Sequence, residues 1–91
     1  MQNQINPAFT ATLMKQCFIC FERGEIDDAK SLLISFLQQC EPVLIPYFER
    51  SKRELKEMNY IREHSEDPSA VFSADVIIKY FERKGITHEF K

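Results

Sequence analysis

The sequence predicts an all-α protein, a small bundle of three to four helices built on an antiparallel hairpin. Three observations carry this prediction. Apolar residues recur every three or four positions through most of the 91 residues. Glycine and proline stand at the ends of these stretches. No segment alternates apolar and polar residues for long enough to indicate a strand. A chain of this length is expected to form one domain over residues 1–91.

The first helix is predicted over residues 7–23. Asn6 is a suitable N-cap, and Pro7 at the first helical position has no amide hydrogen that would need a partner. Gly24 follows the last turn, where helices commonly end in a residue with left-handed backbone. Because only two or three residues separate this helix from the next, the two helices are expected to run antiparallel.

The second helix is predicted over residues 26–40, where the apolar stripe is clearest. Its members are Ile26, Ala29, Leu32, Leu33, Phe36, Leu37 and Cys40. Pro42 and Pro46 are expected to end this helix and to open a third, which starts at residue 43 or 46 and runs to 64. At ~28 Å, this third helix would be longer than the second, at ~21 Å.

The fourth helix is predicted over residues 69–84, with its start placed between Pro68 and Ser73 and Gly85 as its C-terminal cap. Residues 1–5 and 86–91 are tails whose packing the pattern leaves open. The second tail either packs through Ile86 and Phe90 or stays loose.

Five residues of the first hairpin stand at distinctive positions: Gly24 at the turn, Ala29 five residues later, then Leu33 and Phe36, and Pro42 at the end. In these positions residues 8–42 resemble a single tetratricopeptide-type helical hairpin, in which the glycine turns the chain and the alanine lets two helices approach closely. Leu13 replaces the expected large aromatic residue, Cys17 replaces the small one, and the proline comes one position late. The resemblance implies a peptide- or protein-binding role.

The charge and cysteine content set the expected environment. The formal net charge is −2, which provides no overall attraction for nucleic acid or for an anionic membrane. No apolar run approaches the ~20 residues of a membrane span, and the first residues lack the pattern of a signal peptide. With three cysteines, an odd number, reduced thiols in the cytoplasm of a bacterium or of a host cell are expected.

The candidate chemical groups are better interpreted as structural. Cys17 and Cys20 have the spacing of half a zinc site, with Cys40, His64 or His88 as further ligands. In an antiparallel hairpin, however, Cys40 would lie ~11 Å beyond the other two cysteines, too far for a shared metal. We therefore expect core cysteines, and no metal or cofactor. His64 beside Ser65 and Asp67 is not a catalytic triad, because triads join separated segments, so no enzyme activity is expected.

The leading functional hypothesis is a non-catalytic protein-binding module: an adaptor, a chaperone or an inhibitor of the immunity or phage-inhibitor type. Residues 17–21 are all apolar and point around the first helix, so they form either ordinary core or core plus an interface. Tyr47 and Tyr60 fall outside the apolar seam of their helix, where aromatic residues suit an interface. The partner is one protein or a second copy of the chain. The predicted contact residues are Phe18, Ile19, Tyr47, Arg53, Tyr60 and Ile61.

The alternative hypothesis is a homo-oligomeric nucleic-acid-binding regulator that uses the basic face between Arg50 and Arg62. The basic residues of this face are Arg50, Lys52, Arg53, Lys56 and Arg62. They are interleaved with Glu49, Glu54, Glu57 and Glu63, which would repel phosphates. The sequence therefore makes nucleic acid an unlikely partner.

Overall fold

The computed structural model describes residues 6–86, and within this range the backbone forms four α-helices. These are α1 (Pro7–Glu22), α2 (Ile26–Arg50), α3 (Lys52–His64) and α4 (Pro68–Arg83). The predicted all-α bundle class is confirmed. The described residues fall into two compact units, one within Met1–Pro42 and one within Val43–Lys91. The first part of α2 belongs to the first unit and its last part to the second.

The two ends of α1 are closed by local hydrogen bonds. At the start, the Asn6 side chain accepts a hydrogen bond from the Phe9 amide at 3.1 Å, and Pro7 is the first helical residue. At the end, Gly24 has a φ of 82°, in the left-handed region. The Glu25 amide donates to the Cys20 carbonyl at 2.9 Å, which together with the bond from Gly24 to the Phe21 carbonyl makes a Schellman motif. The predicted cap and turn are thus confirmed.

The last helix ends by the same device. Gly85 has a φ of 83°, and the Ile86 amide donates to the Phe81 carbonyl at 3.0 Å. Ile86 is buried, so the beginning of the C-terminal segment packs, while Phe90 lies outside the described residues. At its other end, α4 starts at Pro68, and the Asp67 side chain accepts a hydrogen bond from the Ser69 amide at 3.0 Å.

The boundary predicted between the second and third helices is wrong. Instead of ending at Cys40, α2 continues through Pro42 and Pro46 to Arg50. A proline inside a helix removes one hydrogen bond and frees the carbonyl four residues earlier. Here both prolines are exposed and four residues apart, so they lie on one side of the helix, where water can satisfy the freed carbonyls. On the other side, the apolar stripe continues unbroken to the buried Phe48.

The chain breaks instead at Ser51, whose φ of −133° and ψ of 73° are not helical. The third helix therefore begins at Lys52, rather than at residue 43 or 46, and has 13 residues. The predicted order of lengths is reversed as a result. With 25 residues, α2 is ~37 Å long, against ~20 Å for α3.

Each unit has its own set of buried apolar residues. In the first unit these are Leu13, Cys17, Ala29, Leu33 and Leu37. In the second unit Phe81 has no exposed surface, and its ring centroid lies 4.9 Å from that of Phe48. This aromatic pair joins the end of α2 to α4. Leu55 of α3 and Ile78 of α4 are buried as well, and these two helices pack against each other.

Candidate partner-binding surface

The side of α3 that faces α4 is fixed by a polar network. The Arg62 guanidinium donates from Nη1 to Asp75 Oδ1 of α4 at 3.1 Å, and from Nη2 to Asn59 Oδ1 at 2.6 Å. Asn59 is 7% exposed and Leu55, on the same side, is 1% exposed. Because these residues set the rotation of α3 about its own axis, they also determine which side chains point away from α4.

The opposite side of α3 carries a line of side chains that we call the outer row: Arg53, Glu57, Tyr60 and His64. They are separated by four, three and four positions, so they lie above one another on one helix face. Arg53 Nε lies 3.2 Å from Glu57 Oε2. Tyr60 is 66% exposed, the largest exposed fraction among the large hydrophobic residues described, and its ring centroid is 4.3 Å from that of His64. The outer row is therefore a continuous exposed strip with an aromatic group near its centre.

Tyr47, near the end of α2, adjoins α3. Burial raises the pKa of Tyr47, and the negative charge of the nearby Glu54 carboxylate, with its interaction at the tyrosine hydroxyl, raises this pKa further; the charge of Glu57 adds to the effect. Ile61 is exposed and lies four residues after Glu57, on the same flank of the helix. Four of the predicted contact residues thus share one surface of the second unit. This α2–α3 surface comprises Tyr47, Arg53, Glu54, Glu57, Tyr60, Ile61 and His64.

The other two predicted contact residues, Phe18 and Ile19, lie on α1 in the first unit. Phe18 is 42% exposed, whereas Ile19 is half-buried. In the apolar run of residues 17–21, Cys17 is buried and Cys20 and Phe21 are half-buried. Most of this run is therefore covered within the protein, and Phe18 is its one exposed member.

The three cysteines carry protonated thiols at neutral pH. Burial raises the pKa of Cys17, and the neighbouring Cys20 raises it further. Burial also raises the pKa of Cys40 and of Cys20, the latter with help from a hydrogen bond to Glu25. The thiolate is the form that binds metals and attacks electrophiles. Among residues 6–86, no group of three His, Cys, Asp or Glu side chains is arranged to hold a metal ion.

The basic residues between Arg50 and Arg62 do not form a single face. Arg62 points toward α4, where it is paired with Asp75, and Arg53 on the outer row is paired with Glu57. Lys56 is exposed beside the outer row, and Arg50 belongs to α2 rather than α3. A phosphate backbone would therefore meet a surface of alternating charge here.

One exposed apolar residue of the second unit was missed by the sequence reasoning. Val43 is 56% exposed and lies four residues before Tyr47, on the same side of α2. The spacing has meaning only if both residues belong to one helix, and the predicted start at residue 43 or 46 left that open for Val43. Val43 therefore extends the apolar part of the α2–α3 surface along α2.

Within the described residues, none of the helices combines the length and the apolar character that crossing a lipid bilayer requires. Comparison with models of protein families, with curated proteins and with solved structures gives no match. The functional argument therefore depends on the chemistry of the surface itself.

Proposed function

We propose that this protein is a non-catalytic binding module that docks one protein partner through the α2–α3 surface. The observation that carries the proposal is Tyr60, a large aromatic side chain that is 66% exposed and lies against the His64 ring near the centre of the outer row. Tyrosine offers a rigid apolar ring and a polar tip, and it is enriched where protein partners contribute most binding energy.

The surroundings of Tyr60 support a protein as the ligand. Ile61 and Tyr47 add apolar area, each about 40% exposed. Around them lie both basic and acidic groups, among them the ion pair of Arg53 with Glu57. An apolar centre within a rim of mixed charge is the usual anatomy of a protein interface. An anionic polymer would instead favour a rim of one sign.

An adaptor, a chaperone and an inhibitor would each need such a surface on a stable helical scaffold. We place the protein in the cytoplasm, of a bacterium or of a host cell, in keeping with thiols that stay protonated and unpaired among the described residues. The tetratricopeptide-like spacing of residues 8–42 agrees with a protein- or peptide-binding role.

The test is the capture of partners from the source cells on the tagged full chain, followed by titration calorimetry with the purified partner. Tyr60→Ala and Ile61→Ala should each weaken binding, with the loss at Tyr60 reaching about thirtyfold, as expected for a central interface residue. Phe9→Ala is the matched control, because Phe9 is a similarly exposed aromatic residue on α1. Equal affinities for the wild type and the Tyr60 variant, with helix content unchanged, would contradict the proposal.

A further inference from the structure

We infer that the outer row of α3 pairs with the outer row of a second copy of this chain, antiparallel, around a two-fold axis beside Tyr60. This inference rests on the proposed docking role of the α2–α3 surface and names the occupant of its central strip.

The spacing of the outer row suits pairing with another helix. Its four members recur at intervals of four, three and four, the repeat by which one side of a helix remains against a partner helix. From Arg53 to His64 the row extends ~16 Å. Tyr60, the most exposed of its apolar groups, lies near the middle of α3 and would meet its own copy at the axis.

The charges beside the row are self-complementary in an antiparallel pair. Lys56 and Glu63 are both exposed and lie on the same flank of Tyr60. If the two-fold axis passes between positions 59 and 60, Lys56 and Glu63 each lie ~5 Å from it along the helix, on opposite sides. Lys56 of one copy therefore faces Glu63 of the other, and the pair occurs twice. In a parallel dimer the two-fold axis would run along the helices, so Lys56 would face the opposite flank of the partner helix, which carries Glu57 and Ile61, and it would not meet Glu63.

The opposite flank of the outer row is also complementary to itself in the antiparallel pair. Glu57 lies ~4 Å from the axis on one side and His64 ~7 Å on the other, so Glu57 of one copy comes within side-chain reach of His64 of the second copy. Antiparallel packing also places the positive end of one helix dipole beside the negative end of the other. Both flanks and the helix dipoles therefore favour the same arrangement.

The balance of charge also favours a second copy over an unrelated partner. The exposed charges on and beside the row are Arg53, Lys56, Glu57 and Glu63, two of each sign. A strongly acidic or basic partner would be attracted by two of these charges and repelled by the other two. Since the contact is limited to a helix of 13 residues, we expect a dimer that dissociates on dilution.

Sedimentation equilibrium of the full chain over a range of concentrations tests this inference. The wild type should form a dimer, and Lys56→Glu or Glu63→Lys alone should each weaken self-association about tenfold, because each reversal turns two attractive contacts into repulsive ones. The double variant K56E/E63K restores opposite charges and should recover the wild-type constant. Lys30→Glu, an exposed charge reversal in the first unit, should have no effect.

Three results would overturn the inference. The wild type could remain a monomer up to about 1 mM, both single reversals could leave the dimerisation constant unchanged, or the double variant could associate no more tightly than either single variant. These results are separable from a failure of the proposed function. A monomeric chain that still loses a captured partner on Tyr60→Ala would refute the dimer alone. A dimer that captures no other protein would instead confine the surface to self-association.

Discussion

Replacing Pro46 by alanine should stabilise the protein, because Pro46 lies inside α2. In a helix interior, proline is about 3 kcal/mol less favourable than alanine. Part of this difference is offset, since proline also restricts the unfolded chain, an effect worth roughly 0.4–1 kcal/mol that alanine would lose. The expected gain is about 2 kcal/mol in the free energy of unfolding. For a chain of this size the melting temperature should rise by about 10 °C.

Pro68 provides the matched control. It is the first residue of α4, where the missing amide hydrogen costs nothing and the fixed φ suits the helix. Pro68→Ala should therefore leave stability unchanged or lower it by up to about 1 kcal/mol. Both variants are to be compared with the wild type by thermal and urea unfolding followed by circular dichroism. The urea m-value should stay constant, so that the midpoint reports stability alone.

The two possible positions of Pro46 predict opposite outcomes. If a helix began at Pro46, one of the two starts that the sequence pattern allows, Pro46 would resemble Pro68 and alanine would bring no gain. If α2 runs through Pro46, alanine restores a donor for the carbonyl of residue 42 and removes a steric clash. Equal or lower stability of Pro46→Ala relative to wild type, with helix content unchanged, would show that the continuous α2 is wrong.

Three further predictions concern the core, a turn and a pKa. Phe81→Ala should destabilise the protein by about 3–5 kcal/mol in urea unfolding, because Phe81 is fully buried against Phe48. Gly24→Ala should cost about 1 kcal/mol in the same assay; the added methyl group meets no atom within 4 Å, so the cost is that of a left-handed backbone alone. Glu54→Gln should lower the raised pKa of Tyr47 in an NMR titration, and an unchanged value would exclude the carboxylate as a cause.

The helix ends that depend on local chemistry were predictable from the sequence. Asn6 before Pro7 marks the start of α1, and Gly24 and Gly85 mark positions where the backbone turns left-handed. Each of these ends is closed by hydrogen bonds within six residues. Such signals need no knowledge of tertiary packing, and they placed these ends to within one residue.

The break between α2 and α3 lies at Ser51, whereas the sequence pattern places it at the prolines. Proline was treated as a helix boundary, although Pro42 and Pro46 lie on the exposed side, where the lost bonds cost least. The better signal was Ser51 with Glu54 three residues later, the spacing of a capping box at a helix start. Even this motif is not formed in full, because the Ser51 side chain makes no cap hydrogen bond.

The candidate surface was predictable only in part. Tyr47 and Tyr60 were identified because they fall outside an apolar seam, a property of a single helix. Tyr47 and Glu54 lie on two different helices, on either side of the non-helical Ser51, so their interaction depends on a break that the sequence pattern places elsewhere. The inward position of Arg62 likewise depends on Asp75, which lies 13 residues away on another helix.

The two sides of α3 have separable roles, and this determines how the surface can be tested. A helix of 13 residues is marginal by itself, so α3 keeps its shape by packing on α4 through Leu55 and the network of Arg62 with Asp75. A substitution at Arg62 would therefore change folding and binding together. Tyr60 and Lys56 lie on the exposed part of the helix, away from these contacts. Loss of association in their variants, with stability unchanged, can then be assigned to the interface itself.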